Sequence, residues 1–350
     1  MGPIRAAGQR PPAPFYGPEH SCDPTIVTAV LDPLSSWEFD PHPVHATERD
    51  WTETNCYVDV WIEVLHALGL EPLAAAAFTL STDFEGDQWR FFKFPPEDLR
   101  TVYGIEVLEL NVWKPLVEHV VEQLAMGRLC TVEVDSFYLP DTHGVAYRQD
   151  HVKTTIVPHL VDLGRRVLRY FHNSGYFELG GDDFDGVLST GACSAALVLP
   201  PYVEVVRLDR LRRADSGRLA RVTALTVEHL GRRPPDNPVS RLASRLADDL
   251  SWLADQELET FHRYSFGTCR QCGATAELAA SFVDWLQRND RSDLDPAAAA
   301  LRAVSSGAKA LQFALARVAR GRSIDLPALI GPMEESWSLA IDYLVERYVG

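Results

Sequence analysis

The hydrophobic pattern of this chain changes near residue 205, and that change constrains the fold more than any other feature. Before it, short alternating runs such as "CTVEV" (130–134) are typical of strands. After it, Arg, Leu and Ala dominate and strand signals vanish, while 350 residues are too many for one typical core. The sequence therefore predicts an α+β domain at 25–205 and a helical domain at 206–350, after a flexible Pro-rich lead at 1–24. Helices are expected in the second domain over 207–230, 238–262, 273–289, 296–320 and 333–348.

Charge and cysteine content exclude several classes of protein. The chain has 33 Lys and Arg against 49 Asp and Glu, a net charge of −16. This charge disfavours a nucleic-acid partner and an anionic membrane surface, because both require basic residues. No apolar run approaches the roughly 18 to 20 residues of a membrane span, and the N-terminus lacks the apolar core of a secretory signal. Six cysteines in such a chain do not indicate a disulfide framework, so we expect free thiols and a cytoplasmic location.

The first domain is predicted to mix strands and helices. Strand-like aromatics occupy "FEGDQWRFFKFP" (84–95), and 107–127 is predicted as one helix ended by Gly127. The segment 128–141 is predicted as a strand running into a Pro turn, and 151–173 as two strands around a turn at 162–164.

The stretch "DWTETNCYVDVWIEVLHALGL" (50–70) predicts a helix whose first residue is a cysteine. Its apolar residues recur at helical spacing, and Asn55 is a good N-cap residue. Helix N-termini lower the pKa of a thiol, so Cys56 is a candidate nucleophile. Cysteine is more often a packing residue, and we assign packing to the remaining isolated cysteines, Cys22, Cys130 and Cys193.

A nucleophilic cysteine needs a histidine base and a group that orients the imidazole. His151 stands at the start of an apparent strand, where its side chain can point into a cleft. A three-residue loop at 162–164 would place Asn173, at the end of the partner strand, on the face of His151. A two-residue loop would bring His172 there instead, and the sequence leaves both alternatives open.

Four segments carry a resemblance to a known family: "ETNCYVDVW", "VEVDSFYLPDT", "YRQDHVKTTI" and "YFHNSGYFELGGDDF". Together they resemble the bacterial family called domain of unknown function 1839, over nearly the whole chain from about Asp50 to "FHRYSFGTCRQCGA". Members of that family are often found beside carrier proteins. They are also found beside amino-acid:carrier-protein ligases that resemble class II aminoacyl-tRNA synthetases.

The chain is also distantly similar to the N-terminal domain of the butirosin biosynthetic acyltransferase. The shared features are a cysteine at a helix start, a D-x-x-Y-L-P segment beginning here at Asp135, and a following histidine strand. The resemblance implies a papain-like fold that moves an aminoacyl group from a carrier-protein thioester to an amine. It implies Cys56 as nucleophile, His151 as base and Asn173 as orienting group.

Two features depart from the patterns of these families. Papain-like enzymes usually carry a Gln shortly before the cysteine to complete the oxyanion hole, whereas this chain offers the Asn55 side chain and the Cys56 amide. The butirosin-type pattern has Asp at the third triad position, where this chain has His172 and Asn173.

Three further residues are candidates for substrate binding. Asp135 is either a turn former or a ligand for an aminoacyl ammonium group. Tyr138 belongs to the same segment, and Lys153 either faces solvent or meets a phosphopantetheine phosphate.

No bound cofactor is expected, because the phosphopantetheine arm belongs to the substrate. The pair Cys269 and Cys272 lacks the further ligands of a zinc site, so no metal is predicted.

The segment 207–245 holds ten Arg against four acidic residues. It is either a solvated helix face or a dock for an acidic carrier protein, with Arg210, Arg212 and Arg213 as docking candidates.

The function expected from these features is cysteine-dependent transfer of an aminoacyl group from a carrier-protein thioester to a small-molecule amine. One alternative keeps the same residues but uses water, as a thioesterase, peptidase or amidase. Another is a non-catalytic carrier-protein adaptor, which would not need the Cys56 thiol.

Overall fold

The computed structural model of the chain describes residues 27–29, 38–190 and 200–350. The predicted lead at 1–24, and with it Cys22, lies outside the described residues, as does Cys193.

An antiparallel sheet forms the centre of the first half of the chain. Its strands follow the spatial order β2-β7-β3-β4-β5-β6, and the short β1 pairs with the far end of β4. The strands are β1 (Val27–Ala29), β2 (Glu106–Glu109), β3 (Leu129–Asp135), β4 (Lys153–Asp162), β5 (Val167–His172), β6 (Gly175–Gly180) and β7 (Val203–Arg207).

Helices surround this sheet and make up the second half of the chain. Those of the first half are α1 (Cys56–Ala67), α2 (Pro96–Tyr103), α3 (Leu116–Ala125) and α4 (Asp182–Leu188). Those of the second half are α5 (Arg218–Gly231), α6 (Pro238–Ala254), α7 (Leu258–Ser265), α8 (Gln271–Asp290), α9 (Asp295–Val318) and α10 (Leu326–Tyr348). This arrangement confirms the prediction of a mixed α and β fold with a helical C-terminal region.

Helix α1 has the start and the buried face that the sequence predicts. The Asn55 side chain accepts a hydrogen bond from the Val58 amide at 3.0 Å, so the helix begins at Cys56. Trp61 and Leu65 of the apolar stripe are fully buried, and α1 packs against β4 and β5. Burial of such side chains contributes roughly 1.5–3 kcal/mol each, which fixes α1 on one face of the sheet.

The two halves of the chain share one hydrophobic core. Helices α5 and α8 pack against a 3₁₀ segment at Pro72–Ser81, which belongs to the first half. Within the second half, α9 packs along both α8 and α10. The helical region is therefore packed tightly against the part of the chain that carries Cys56.

Three predicted elements are wrong. The single helix over 107–127 is a strand, β2, followed by α3, because Pro115 disfavours helix at the residue before it. The aromatic segment 84–95 forms only an isolated bridge between Phe84 and Trp89, and its other aromatics pack into the core from an irregular segment. The predicted helix 238–262 is two helices, α6 and α7.

Candidate functional site

Cys56 is the first residue of α1, and its side chain is partly exposed. Its sulfur lies 4.0 Å from the Thr155 hydroxyl on β4. The other described cysteines, Cys130, Cys269 and Cys272, are fully buried. Burial raises the pKa of the Cys130 and Cys269 thiols to about 12, and it raises the pKa of Cys272 well above its usual value. Cys56 is thus the one described cysteine whose side chain is not buried.

Both polar atoms of the Asn55 side chain make hydrogen bonds within the protein. Its side-chain oxygen caps α1, and its amide nitrogen donates to the Phe92 carbonyl at 3.1 Å. The residue is also buried. These contacts correct the prediction of Asn55 as an oxyanion donor, because its amide points into the protein. First-turn amides have no partner within an α-helix, so the backbone at Cys56 is the remaining source of such donors.

His151 forms a pair with Asp135. The imidazole Nδ1 lies 2.5 Å from Asp135 Oδ2, while Asp135 Oδ1 accepts a hydrogen bond from the Phe137 amide at 3.0 Å. The ring also stacks on Phe137, with centroids 4.4 Å apart and planes 12° from parallel. Because these contacts fix Nδ1 and the ring plane, Nε2 is the nitrogen available for proton transfer. The side chain is 67% exposed.

Cys56 and the His151–Asp135 pair lie on the same face of the sheet. Asp135 pairs with Lys153, and Glu133 with Thr155, so these four side chains share a face. Cys56, however, contacts Thr155. Thr155 lies four residues after His151, so the backbones of these two residues are about 13 Å apart along an extended chain. The structure therefore brings His151 to Asp135 and not to Cys56.

His172 belongs to the opposite face. It pairs with Ile156, its Nε2 lies 2.8 Å from the Thr154 hydroxyl, and its Nδ1 lies 2.5 Å from Asp141 Oδ2. Because Thr154 and Thr155 point to opposite faces, this buried histidine is separated from Cys56 by the sheet. The position corrects its assignment as the third member of the triad.

Asn173 lies in the tight turn between β5 and β6, with a left-handed φ of +47°. The next residue, Ser174, donates a hydrogen bond to Glu53 Oε1 at 3.2 Å. The turn is therefore beside the segment that leads into Cys56, although the group that contacts His151 is Asp135. The predicted three-residue loop is wrong, since Asp162 pairs with Val167 across residues 163–166.

The predicted substrate residues meet at one cavity. Asp135, Tyr138 and Lys153 line a cavity of about 520 Å³ together with His151 and Tyr202. This volume is in the range of small-molecule sites. Lys153 also forms a 2.7 Å ion pair with Glu133, and its side chain is largely exposed.

A buried cluster beneath α1 was not predicted. His45 lies between Asp59 and Glu63 of α1, and Asp59 also accepts hydrogen bonds from the Thr54 amide and hydroxyl, at 2.8 Å and 2.6 Å to its two oxygens. Burial alone would lower the pKa of His45, but its hydrogen bonds to and the charges of both carboxylates raise it to about 9. The cluster anchors the residues just before Cys56. A lone histidine eleven residues upstream of the cysteine gave no sequence signal for it.

A second unpredicted contact comes from the helical half. Arg270, in the π-helical turn before α8, donates to the Glu53 carbonyl at 3.1 Å. Glu204 of β7 accepts hydrogen bonds from the Tyr57 and Thr131 hydroxyls at 2.8 Å and 2.7 Å. Both contacts hold the start of α1 against its surroundings.

Two of the three predicted docking arginines donate hydrogen bonds to backbone carbonyls within the chain. Arg212 donates to the Thr101 carbonyl at 2.6 Å, and Arg213 donates to the Leu68 carbonyl at the end of α1. These internal contacts disfavour Arg212 and Arg213 as docking residues. Arg210 is 80% exposed and lies 3.7 Å from Glu106, so it is the remaining candidate.

Two features are absent from the described residues, a cluster of metal-ligating side chains and a membrane-spanning helix. No grouping of three or more His, Cys, Asp or Glu side chains that could hold a metal ion occurs in the part of the chain that the structure describes. Within the same residues, no helix combines the length and apolar character needed to cross a membrane.

Comparison with known families covers most of the described residues. The model of the DUF1839 N-terminal domain matches residues 40–208, and that of the DUF1839 C-terminal domain matches residues 215–346. No curated protein matches the chain. The two matches cover strands β2 to β7, the helix α1 that begins at Cys56 and the helices of the second half, and the chain therefore belongs to the DUF1839 family.

Proposed function

We propose that this protein is a cysteine-dependent acyltransferase in which Cys56 carries the acyl group. The observation that supports this most directly is the partly exposed Cys56 thiol at the N-terminus of α1. The other described thiols are buried. Helix N-termini favour negative charge, which a thiolate and the oxyanion of a tetrahedral intermediate both carry. A papain-like core is part of the proposal, and the packing of the cysteine helix on an antiparallel sheet supports it.

In this proposal His151 is the base and Asp135 orients it. Asp135 takes the place proposed for Asn173 because it is the group that His151 contacts, at 2.5 Å. An Asp that holds Nδ1 fixes the tautomer and stabilises the imidazolium. Both residues line the 520 Å³ cavity, where an acceptor amine would lie.

The reaction has two steps. The Cys56 thiol gives its proton to His151 Nε2 and its sulfur attacks the thioester carbonyl, the bond from that carbon to the donor sulfur breaks, and the donor thiolate takes up the proton from His151. The acceptor amine then attacks the acyl-Cys56 carbon, an amide forms, and Cys56 leaves as a thiolate while His151 Nε2 accepts the amine proton. A base acts only within hydrogen-bond reach, so His151, which precedes β4, must approach Cys56 when substrate binds.

A carrier protein as the donor rests on the sequence resemblance. Arg210 is the docking residue that the proposal retains, and Lys153 at the cavity is the proposed contact for the phosphopantetheine phosphate. A cytoplasmic location is also proposed, since the four described cysteines are free thiols.

The test is a product assay with one acyl group presented in two ways, as an aminoacyl-pantetheine thioester and on a carrier protein. With an added amine, wild-type protein should form the amide, Cys56→Ala should form none, and Asp135→Asn and His151→Gln should lose roughly 10²–10⁴-fold in rate. His143→Gln is the matched control, because His143 is an exposed loop histidine. Carrier preference would appear as faster transfer from the carrier-bound donor, with Arg210→Glu removing that advantage.

Amide formed at the same rate by Cys56→Ala and wild type would contradict the proposal, and amide formed by neither protein would leave the adaptor. Free acid formed at the same rate with and without amine would indicate the hydrolase instead of the transferase.

A further inference from the structure

A serine, a histidine and an aspartate form a connected chain of hydrogen bonds away from Cys56. The Ser81 hydroxyl lies 2.9 Å from His229 Nδ1, and His229 Nε2 lies 2.8 Å from Asp98 Oδ2. We propose that Ser81 is a second nucleophile of this protein, with His229 as its base and Asp98 as the positioning residue. The site uses none of the residues of the proposed Cys56 reaction, so it goes beyond that function.

The hydrogen bonds of His229 fit one tautomer of the neutral imidazole. A carboxylate accepts hydrogen bonds, so Nε2 carries the hydrogen that it donates to Asp98, and Nδ1 has a lone pair for the serine proton. The Ser81 hydroxyl also lies 3.1 Å from the Phe78 carbonyl, and rotation of the O–H bond switches it between the two acceptors. A triad is recognised by these roles, whichever imidazole nitrogen serves each one.

The three residues differ in burial in the way that a nucleophile, its base and a positioning residue require. Asp98 and His229 are buried, so the charge pair that forms on proton transfer is shielded from water. Ser81 is partly exposed and, with His229, lines a cavity of about 450 Å³. The nucleophile therefore faces the space where a substrate would bind, while the base and Asp98 lie behind it.

The cavity walls define the substrate class. Phe78 and Phe92 stack with ring centroids 6.2 Å apart, and Phe94 and Pro95 continue the apolar wall. Lys93 lies at the same cavity, 4.3 Å from the centroid of the Tyr57 ring. These walls suit an ester or thioester with a flat or apolar acyl group.

In the proposed step the Ser81 Oγ–acyl bond forms and the bond from the acyl carbon to the leaving oxygen or sulfur breaks. His229 Nδ1 accepts the serine proton and then delivers it to the leaving group. Water, activated by the same nitrogen, attacks the acyl-serine carbon and releases the acid, and His229 returns its proton to Ser81. The step needs no co-reactant beyond water.

The hydrogen bonds that join Ser81, His229 and Asp98 connect both halves of the protein. Ser81 ends the 3₁₀ segment and Asp98 lies in the first turn of α2, whereas His229 comes from α5 of the helical half. A purely structural role would join the same elements, so the test must detect reactivity and not stability alone.

The experiment treats the full-length Cys56→Ala protein with an aryl-alkyl fluorophosphonate and follows the adduct by intact mass and peptide mapping. Attack by Ser81 forms the O–P bond and breaks the P–F bond, and fluoride leaves. We expect one adduct, on the peptide that contains Ser81. Asp98→Asn should slow labelling roughly 10²-fold or more, and His229→Gln should slow it by a similar factor.

Ser81→Ala should abolish the adduct, whereas Ser244→Ala should keep it, because the Ser244 hydroxyl bonds only its own helix at 3.1 Å. Thermal melting of each variant separates loss of reactivity from loss of fold. Folded protein that gains no adduct at Ser81, or gains one at the same rate in folded His229→Gln, would overturn the proposal. Neither result depends on whether Cys56 transfers acyl groups.

Discussion

The buried His45 cluster makes the stability of this protein depend on pH in a specific window. His45 is held between Asp59 and Glu63, and its pKa is raised from 6.5 to about 9 in the folded protein. The unfolded chain has no such partners, so the folded state binds the His45 proton more tightly. A group whose pKa rises on folding contributes stability that is complete below the unfolded pKa and is lost as the pH rises through the folded pKa.

The magnitude follows from the size of the shift. Between an unfolded pKa of 6.5 and a folded pKa of about 9, linkage predicts a loss of about 3 kcal/mol. The loss begins near pH 6.5 and is nearly complete by about pH 9.5. It comes from leaving Asp59 and Glu63 buried without a cation between them, and such uncompensated charges are costly.

Urea unfolding at intervals between pH 6 and pH 9.5 measures this loss. The quantity to compare is the free energy of unfolding of wild type minus that of His45→Gln, because subtraction removes the titration of other groups. We expect this difference to shrink by about 3 kcal/mol across the window. His143→Gln, at an exposed loop histidine, is the control and should run parallel to wild type. Parallel curves for wild type and His45→Gln would refute the reasoning.

Three further predictions concern the site and its support. Under native conditions iodoacetamide should alkylate Cys56 at least tenfold faster than Cys130, which is buried with a pKa raised to about 12, and peptide mapping measures both. Asn55→Ala should lower the free energy of unfolding by about 1–2 kcal/mol in urea, because α1 loses its N-cap. Arg213→Ala should lower it by about 1–2 kcal/mol through loss of the bond to the end of α1, whereas Arg210→Ala should change it by less than about 0.5 kcal/mol.

The sequence was most informative where local rules decide the structure. The α1 helix, its cap at Asn55 and the change from sheet to helices near residue 205 follow from periodicity and capping, which depend on neighbouring residues. The prediction of a single helix over 107–127 failed because the apolar residues of this segment suit both a strand and a helix. Only pairing with β7 selects the strand at Glu106–Glu109.

The register of β4 and β5 shows how two local errors offset each other. The loop is one residue longer than predicted, which alone would exchange the two faces of β5. An irregularity between Pro158 and Leu160 shifts the register again and restores the predicted faces near the site. His172 consequently faces away from Cys56, although neither feature leaves a signal in the composition.

The groupings of side chains at the two sites were beyond the sequence. Asp135 and His151 were both singled out, yet their contact depends on the pairing of β3 with β4. Ser81 and His229 are 148 residues apart, and only the packing of α5 on the first half brings them together. Such contacts are made by tertiary structure, so residue spacing carries no trace of them.

The most direct test of the central claim is the mass of the protein after brief exposure to an aminoacyl-pantetheine thioester without amine, followed by acid quenching. We expect an increment equal to the acyl group, mapped to the peptide that begins α1, absent in Cys56→Ala and lost when an amine is added. No increment on Cys56, while the wild-type protein still consumes the thioester and forms the amide, would contradict the acyl-cysteine route.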